Sequence, residues 1–238
     1  MSEIFITENV KIIKENKNIY KIEFKTTQYA LINSLLKPRI IHGGSTDEYY
    51  KTIIFKAEKV QSLKDYQHEN KVKTGKKSLS IVDASKMTQT LVMQLNHLIN
   101  KEFHTILGYN PEEIIVINDE KFAFLGSELV AKIDSEGTEM AMISCPFSVR
   151  DFFLSPEIIK IKEIPSFIHF KTSYFSLALL IIYILLAEDE FYYEYLNDKH
   201  SENILKILDN HPIKNTKLFW LLSRCLVEDA RERSIILI

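Results

Sequence analysis

The sequence predicts an α+β protein with a small strand-rich first part and a larger helical second part. Three observations predict it. Lys17 to Lys25 (KNIYKIEFK) and Tyr49 to Glu58 (YYKTIIFKAE) carry the alternation and the aromatic and β-branched residues of strands. From Ser155 onward the pattern is helical, through an uncharged run from Thr172 to Ala187 (TSYFSLALLIIYILLA) and an amphipathic stretch from Lys217 to about Asp229. Nearly half of the 238 residues are apolar, enough for a substantial core. The division falls near residue 60, giving lobes over 1–60 and 61–238, and a cleft between lobes is where a ligand would bind.

The elements follow in order. Lys17 to Lys25 is a strand. Gln28 to Leu36 is a short helix that stops before Pro38. Arg39 to Ile41 is a strand end leading into a turn at Gly43-Gly44, and Tyr49 to Glu58 is the next strand. Lys71 to Lys77, with four lysines and Gly75, is a solvated linker. Asp83 caps a helix from Ala84 to about Phe103, whose apolar face holds Met87, Leu91, Leu95, Leu98 and Ile99. Ile114 to Ile117 and Phe122 to Phe124 are short strands joined by a hairpin turn at Asn118-Asp119-Glu120. Lys132 to Thr138 is a polar loop. Helices then run from Ser155 to Ala187, from Glu202 to Asp209 and from Lys217, the last burying Leu218, Leu221, Leu222, Cys225 and Leu226.

Composition excludes several classes of function. The net charge is −2 with both signs spread along the chain, so no basic nucleic-acid footprint exists. Cys145 and Cys225 are too few for a disulfide framework and stand in no zinc spacing. They read as reduced thiols of a cytoplasmic protein. The Met-Ser-Glu-Ile start carries charge at once and lacks the pattern of a signal peptide. The Thr172–Ala187 run is shorter than the roughly 18–20 residues of a spanning helix, so a buried core helix is expected and no membrane span. His97 and His104 lie two helical turns apart with no third ligand, which argues packing or surface positions over a metal pair. Neither a G-x-S-x-G elbow nor a Walker A sequence occurs.

Several local motifs recur in one order. Ile53 to Tyr66 (IIFKAEKVQSLKDY) reads as a strand, a hinge and the start of a helix. Tyr109 to Gly126 (YNPEEIIVINDEKFAFLG) keeps Pro111, Ile114 to Ile117, Phe122 to Phe124 and Gly126 of a loop–hairpin–tripeptide pattern. Ser155-Pro156-Glu157, the helix opening Tyr174-Phe175-Ser176-Leu177-Ala178, and the closing Cys225 to Ser234 (CLVEDARERS) follow. Together these resemble the eukaryotic-type protein kinase superfamily over nearly the whole chain, with H-R-D-L-x-x-x-N, D-F-G, A-P-E and the later helix motifs in degenerate form. The resemblance implies a bilobal kinase-like fold with a reduced strand-rich N-lobe and a mainly helical C-lobe. It also implies a structural tie between Glu157 and Arg233.

The same resemblance implies that the chemistry is lost. The catalytic Asp falls on Gly108, the metal-binding Asn on Glu113 and the Asp of D-F-G on Phe124. Six glycines occur and the first is Gly43, so the phosphate-covering glycine loop is absent. Lys21 is the positional match for the phosphate-binding lysine. The helix after it holds no acidic partner, and Lys21 reads as an ordinary strand lysine. Glu113 reads as a solvent-facing or first-turn carboxylate beside Pro111, Asp119 as a turn residue and Asp134 as a loop residue. No catalytic residue, metal ligand or cofactor is therefore assigned. ATP and Mg²⁺ enter only in the alternative of a divergent Ser/Thr-type kinase, with Lys21, Glu113 or Asp119 in new roles. The expected function is that of a pseudokinase that binds another protein by scaffolding or mimicry. The Lys-, Ile- and Asn-rich composition points to an AT-rich genome, such as that of a large DNA virus or a reduced parasite. In that setting the partner would be a host signalling or defence protein.

Overall fold

Alternating apolar residues build the first sheet. In the computed structural model, which describes residues 2–134, 138–147, 153–186 and 201–236, β1 (Ser2–Ile6), β2 (Val10–Asn16) and β3 (Ile19–Phe24) are antiparallel neighbours. With β4 (Ser45–Thr46) and β5 (Thr52–Lys56) they form a five-stranded sheet in the order β1-β2-β3-β5-β4. On β3, Tyr20, Ile22 and Phe24 are buried while Ile19, Lys21 and Glu23 face the other way. Leu31, Ile32 and Leu35 of α1 (Tyr29–Leu36) join that buried face in one hydrophobic cluster with Ile53 and Phe55. Two strands thus precede the first one expected from the sequence. Arg39 to Ile41 forms turns and not a strand end: Arg39 has φ 59°, and the short partner of β5 is Ser45–Thr46.

Serines set the next helices. β6 (Val60–Ser62) leads into α2 (Leu63–Thr74), where the Ser62 hydroxyl accepts from the Asp65 amide at 3.0 Å and donates to its carboxylate at 2.6 Å. Ser80 repeats the arrangement with Asp83, at 3.1 and 2.6 Å, at the start of α3 (Ile81–His97). Asp83 is therefore a first-turn acid, and the cap lies three residues earlier. Its charge is well placed against the helix dipole. Lys71–Lys77 is only partly a linker. Lys71 and Lys73 belong to the last turn of α2, and Gly75 at φ 76° ends it in the left-handed conformation that favours glycine. α3 passes into a π-helical turn over Leu98–Glu102 and stops at Phe103.

The next strands are short: β7 (His104–Ile106), β8 (Gly108–Tyr109), β9 (Ile114–Ile117), β10 (Lys121–Phe124), β11 (Val130–Lys132), β12 (Met140–Ile143), β13 (Phe153–Leu154) and β14 (Ser166–His169). β9 and β10 form a hairpin with Asn118 and Asp119 at φ 54° and 56°. The Asn118 side chain accepts from the amides of Glu58 and Lys59 and ties the turn to the β5–β6 link. The hairpin is buried on both faces. Ile114, Val116, Phe122 and Phe124 join the helical core, while Ile115, Ile117, Ala123 and Leu125 join the first-sheet core. Period-2 alternation thus sorts one hairpin between two cores.

The helical core is centred on α5 (Thr172–Leu186), which is buried nearly all round. Met87, Leu91 and Leu95 of α3 and Leu218 and Leu222 of α7 (Lys217–Cys225) pack in the same cluster, with α6 (Ser201–Asp209) beside them. Among the described residues no helix is long and apolar enough to cross a membrane. Ala187, the expected end of the apolar run, lies outside the described residues. The stretch after Ser155 is not helical throughout: α4 (Pro156–Ile159) is one turn, and β14 pairs with β12. α7 ends at Cys225, before a 3₁₀ turn at Ala230–Glu232 capped by Asp229. Lys132, expected in a loop, ends β11, and Ile133 bridges to Ala141; residues 135–137 lie outside the described residues.

Candidate binding cleft

A cleft of about 560 Å³ opens between the β1–β2 turn, the start of α2 and the 3₁₀ turn Pro111–Glu113 that precedes β9. Among the described residues its charged lining is Glu8, Lys64, Asp65, Glu112, Glu113 and Glu128, five carboxylates against one ammonium. The β1–β2 turn closes on itself. The Thr7 hydroxyl accepts from the amides of Asn9 (3.4 Å) and Val10 (3.1 Å), and the Thr7 amide donates to the Val10 carbonyl (2.9 Å). Those amides are engaged within the turn and do not point as free donors at an anion.

Glu113, Phe124 and Gly126 form one packed unit beside this cleft. A β-carbon at 126 would overlap both the Glu113 carboxylate and the Phe124 ring, so only glycine fits. The Glu113 backbone accepts from the Leu125 amide at 2.9 Å and holds the unit together. Phe124 packs on Tyr109 with ring centres 5.0 Å apart. Glu113 is 5% exposed, and its Oε2 has no hydrogen-bond partner among the described residues. Burial, reinforced by the charge of Glu128, pushes its carboxyl up to about 7. This corrects the sequence expectation of a solvent-facing carboxylate: the residue sits in the first turn of a 3₁₀ segment, but its side chain is folded inward.

Gln94 holds Phe124 from behind. Its amide donates to the Phe124 carbonyl at 2.8 Å and accepts from the Phe124 amide at 3.0 Å, while the side chain itself is fully buried. Nothing in the sequence singles it out, since a lone glutamine on a helix face carries no periodic signal. Glu8 and Glu128 were also missed, because each is a loop acid until the fold brings them to one cleft.

The other expected positions lie elsewhere. Gly108 is in β8, paired with Leu154. Lys21 is on the outer side of β3, where its ammonium meets Glu23 at 2.7 Å, a pairing that raises its pKa. It does not line the cleft. Asp119 accepts from Gln61 at 3.2 Å and pairs with Lys59 at 3.3 Å. Asp134 accepts from Thr138 at 3.1 Å. His97 meets Glu102 at 3.3 Å, and His104 meets the Glu102 carbonyl at 2.6 Å. No group of three or more His, Cys, Asp or Glu residues that could hold a metal ion occurs among the described residues. Glu157 and Arg233 meet in an ion pair, with Arg233 fully buried.

No protein-family model matches the chain, and no curated protein matches it either.

Proposed function

We propose that the chain is a degenerate protein-kinase-like scaffold, a pseudokinase that works by binding another protein and not by transferring phosphate. The order of elements supports the family reading. A five-stranded antiparallel sheet with one helix comes first, then a helical body, a buried hairpin, and an Arg233–Glu157 tie between the last motif and the Ser-Pro-Glu turn. Fold analogy alone is a weak warrant for function, so the site carries the argument.

The observation that carries the inactive reading is the packing of Glu113, Phe124 and Gly126. Phosphoryl transfer needs charge neutralisation and positioning of the phosphates. Here the position of the metal-binding aspartate is an aromatic ring packed on Tyr109. The position of the catalytic base is Gly108, which has no side chain to accept a proton. Lys21 is engaged by Glu23 away from the cleft, and α1 offers no carboxylate to redirect it. The cleft bears an excess of carboxylates, which repels a polyphosphate. A thermal-shift titration with ATP, with and without Mg²⁺, tests this reading. The melting temperature is expected to stay constant, and a saturable rise would contradict it.

A further inference from the structure

We infer that the cleft takes a guanidinium group from an arginine-bearing segment of a partner polypeptide, with Glu113 as its anchor and Glu8 and Glu128 as flanking acids. The ligand's being part of a protein rests on the function proposed above; the preference for a cation rests on the cleft itself.

Two independent features lead there. The first is the charge distribution. The whole chain is close to neutral, yet among the described residues the cleft gathers five carboxylates and a single ammonium from segments far apart in sequence. The second is Glu113. A carboxylate that is almost fully buried is costly unless a donor or a cation compensates it, and Oε2 has no hydrogen-bond partner among the described residues. Glu113 is one of the residues that line the cleft; its Oε2 lies against Gly126 and the Phe124 ring, and rotation about the last torsion exchanges its two oxygens. A donor arriving along the cleft would supply what the fold leaves out.

The geometry selects the kind of cation. A bare metal ion needs several ligands converging on one point, and no such group exists among the described residues. The acids are instead distributed around a cavity of about 560 Å³, within the usual range for an organic ligand. Guanidinium suits that arrangement. It offers five N–H donors in a planar fork, pairs bidentately with a carboxylate and gives up its hydration more readily than an ammonium. One end would meet Glu113 while the chain carrying it passes Glu8 and Glu128 at the rim. Asp65 already accepts from the Ser62 hydroxyl, and Lys64 discourages a second cation on that side.

Binding carries a proton signature. The charged groups that line the cleft with Glu113 are Glu128, Glu112, Glu8, Asp65 and Lys64, and burial together with the charge of Glu128 keeps its proton on near neutrality. A cation in the cleft reverses that bias, so binding at pH 6 releases a proton.

The test uses the full chain and a fluorescent tetra-arginine peptide, read by anisotropy and by calorimetry in two buffers of different ionisation heat. Tetra-citrulline, tetra-lysine, spermine, free arginine and Mg²⁺ alone serve as comparison ligands. Tetra-arginine is expected to bind, and tetra-citrulline is not. Glu113→Gln, which is isosteric, is expected to keep the circular dichroism of the wild type, weaken binding at least tenfold and abolish the buffer dependence at pH 6. The double variant Glu8→Gln, Glu128→Gln is expected to weaken it several-fold with circular dichroism unchanged. Equal affinity of wild type and Glu113→Gln would overturn the inference, as would tighter binding of spermine or a Mg²⁺ response through Glu113. An ATP-dependent shift alongside intact Glu113-dependent peptide binding would sink the scaffold function alone. Absence of both responses would sink the cleft proposal alone.

Discussion

The fully buried Arg233 guanidinium donates to the Glu157 carboxylate from 76 residues further along the chain. Its other donors meet the carbonyls of Val227 (2.7 Å) and Glu228 (2.9 Å), and its face lies 4.8 Å from the Phe175 ring centre. The arginine is thus held on all sides, and Thr172 adds a donor to the same Glu157 oxygen at 3.2 Å. Removing Glu157 leaves the Arg233 charge buried without its counter-ion, and removing Arg233 empties a fully buried position and leaves a partly buried Glu157 with Thr172 alone. Arg233→Ala is expected to lose about 3–5 kcal/mol in urea unfolding. The double variant with Glu157→Ala should be less destabilised than the sum of the singles by about 1–3 kcal/mol. Strict additivity would show that the pair carries no coupling.

Glu113 makes stability depend on pH. Its carboxyl titrates near 4.5 when unfolded and at about 7 in the fold. Between those values the folded state holds a proton that the unfolded state has released. Stability therefore falls as pH rises through that window, by roughly 3 kcal/mol in total from this group. Glu113→Gln removes the dependence. The variant should match wild type near pH 4.5 and exceed it increasingly toward pH 8, measured as urea midpoints. A constant difference across the range would contradict the buried carboxyl.

Gly126 is needed for space. Gly126→Ala forces a methyl group against the Glu113 carboxylate and the Phe124 ring. The expected cost is about 1–3 kcal/mol. Adding Glu113→Ala should recover part of it, because one of the two obstructing side chains is then gone. A neutral Gly126→Ala would mean that the unit is looser than described.

Gln94→Leu strands the amide and carbonyl of Phe124 in the core. A loss of about 2–4 kcal/mol is expected, with faster hydrogen exchange at Phe124. Gln94→Glu separates the two bonds: it keeps the acceptor and loses the donor. An unchanged exchange rate in Gln94→Leu would contradict the assigned role.

Lys21 is the control. It is partly exposed and pairs with a partly exposed Glu23. Lys21→Met should alter stability by no more than about 0.5 kcal/mol and leave ATP response unchanged. A larger effect on nucleotide binding would restore it as a phosphate ligand.

The hairpin was legible in the sequence because β-branched and aromatic runs flank an Asn-Asp turn whose residues accept positive φ. Apolar α5 was legible from its length, too short for a membrane and too apolar for a surface. Other parts failed for identifiable reasons. The lysines at the end of α2 resemble a linker by composition, yet they sit at the helix end that favours cations. Ser80 and Asp83 are both good caps, and the serine takes the position while the acid takes the first turn. β14 was missed because a four-residue strand inside a helical context has too few residues to show alternation. Glu113 was misread because Pro-Glu-Glu is the sequence of an exposed helix start. Its burial depends on Gly126, thirteen residues away. The pairing of Glu157 with Arg233 was reached only through the family resemblance, since no periodicity links residues so far apart.

In the function proposed above, this chain does not transfer phosphate. Purified protein incubated with radiolabelled ATP and Mg²⁺ or Mn²⁺, alone and with mixed acidic and basic protein substrates, measures it directly. No label above that of heat-denatured protein is expected on the chain or on any substrate. Label that accumulates with time and is lost in Glu113→Gln or Lys21→Met would contradict it.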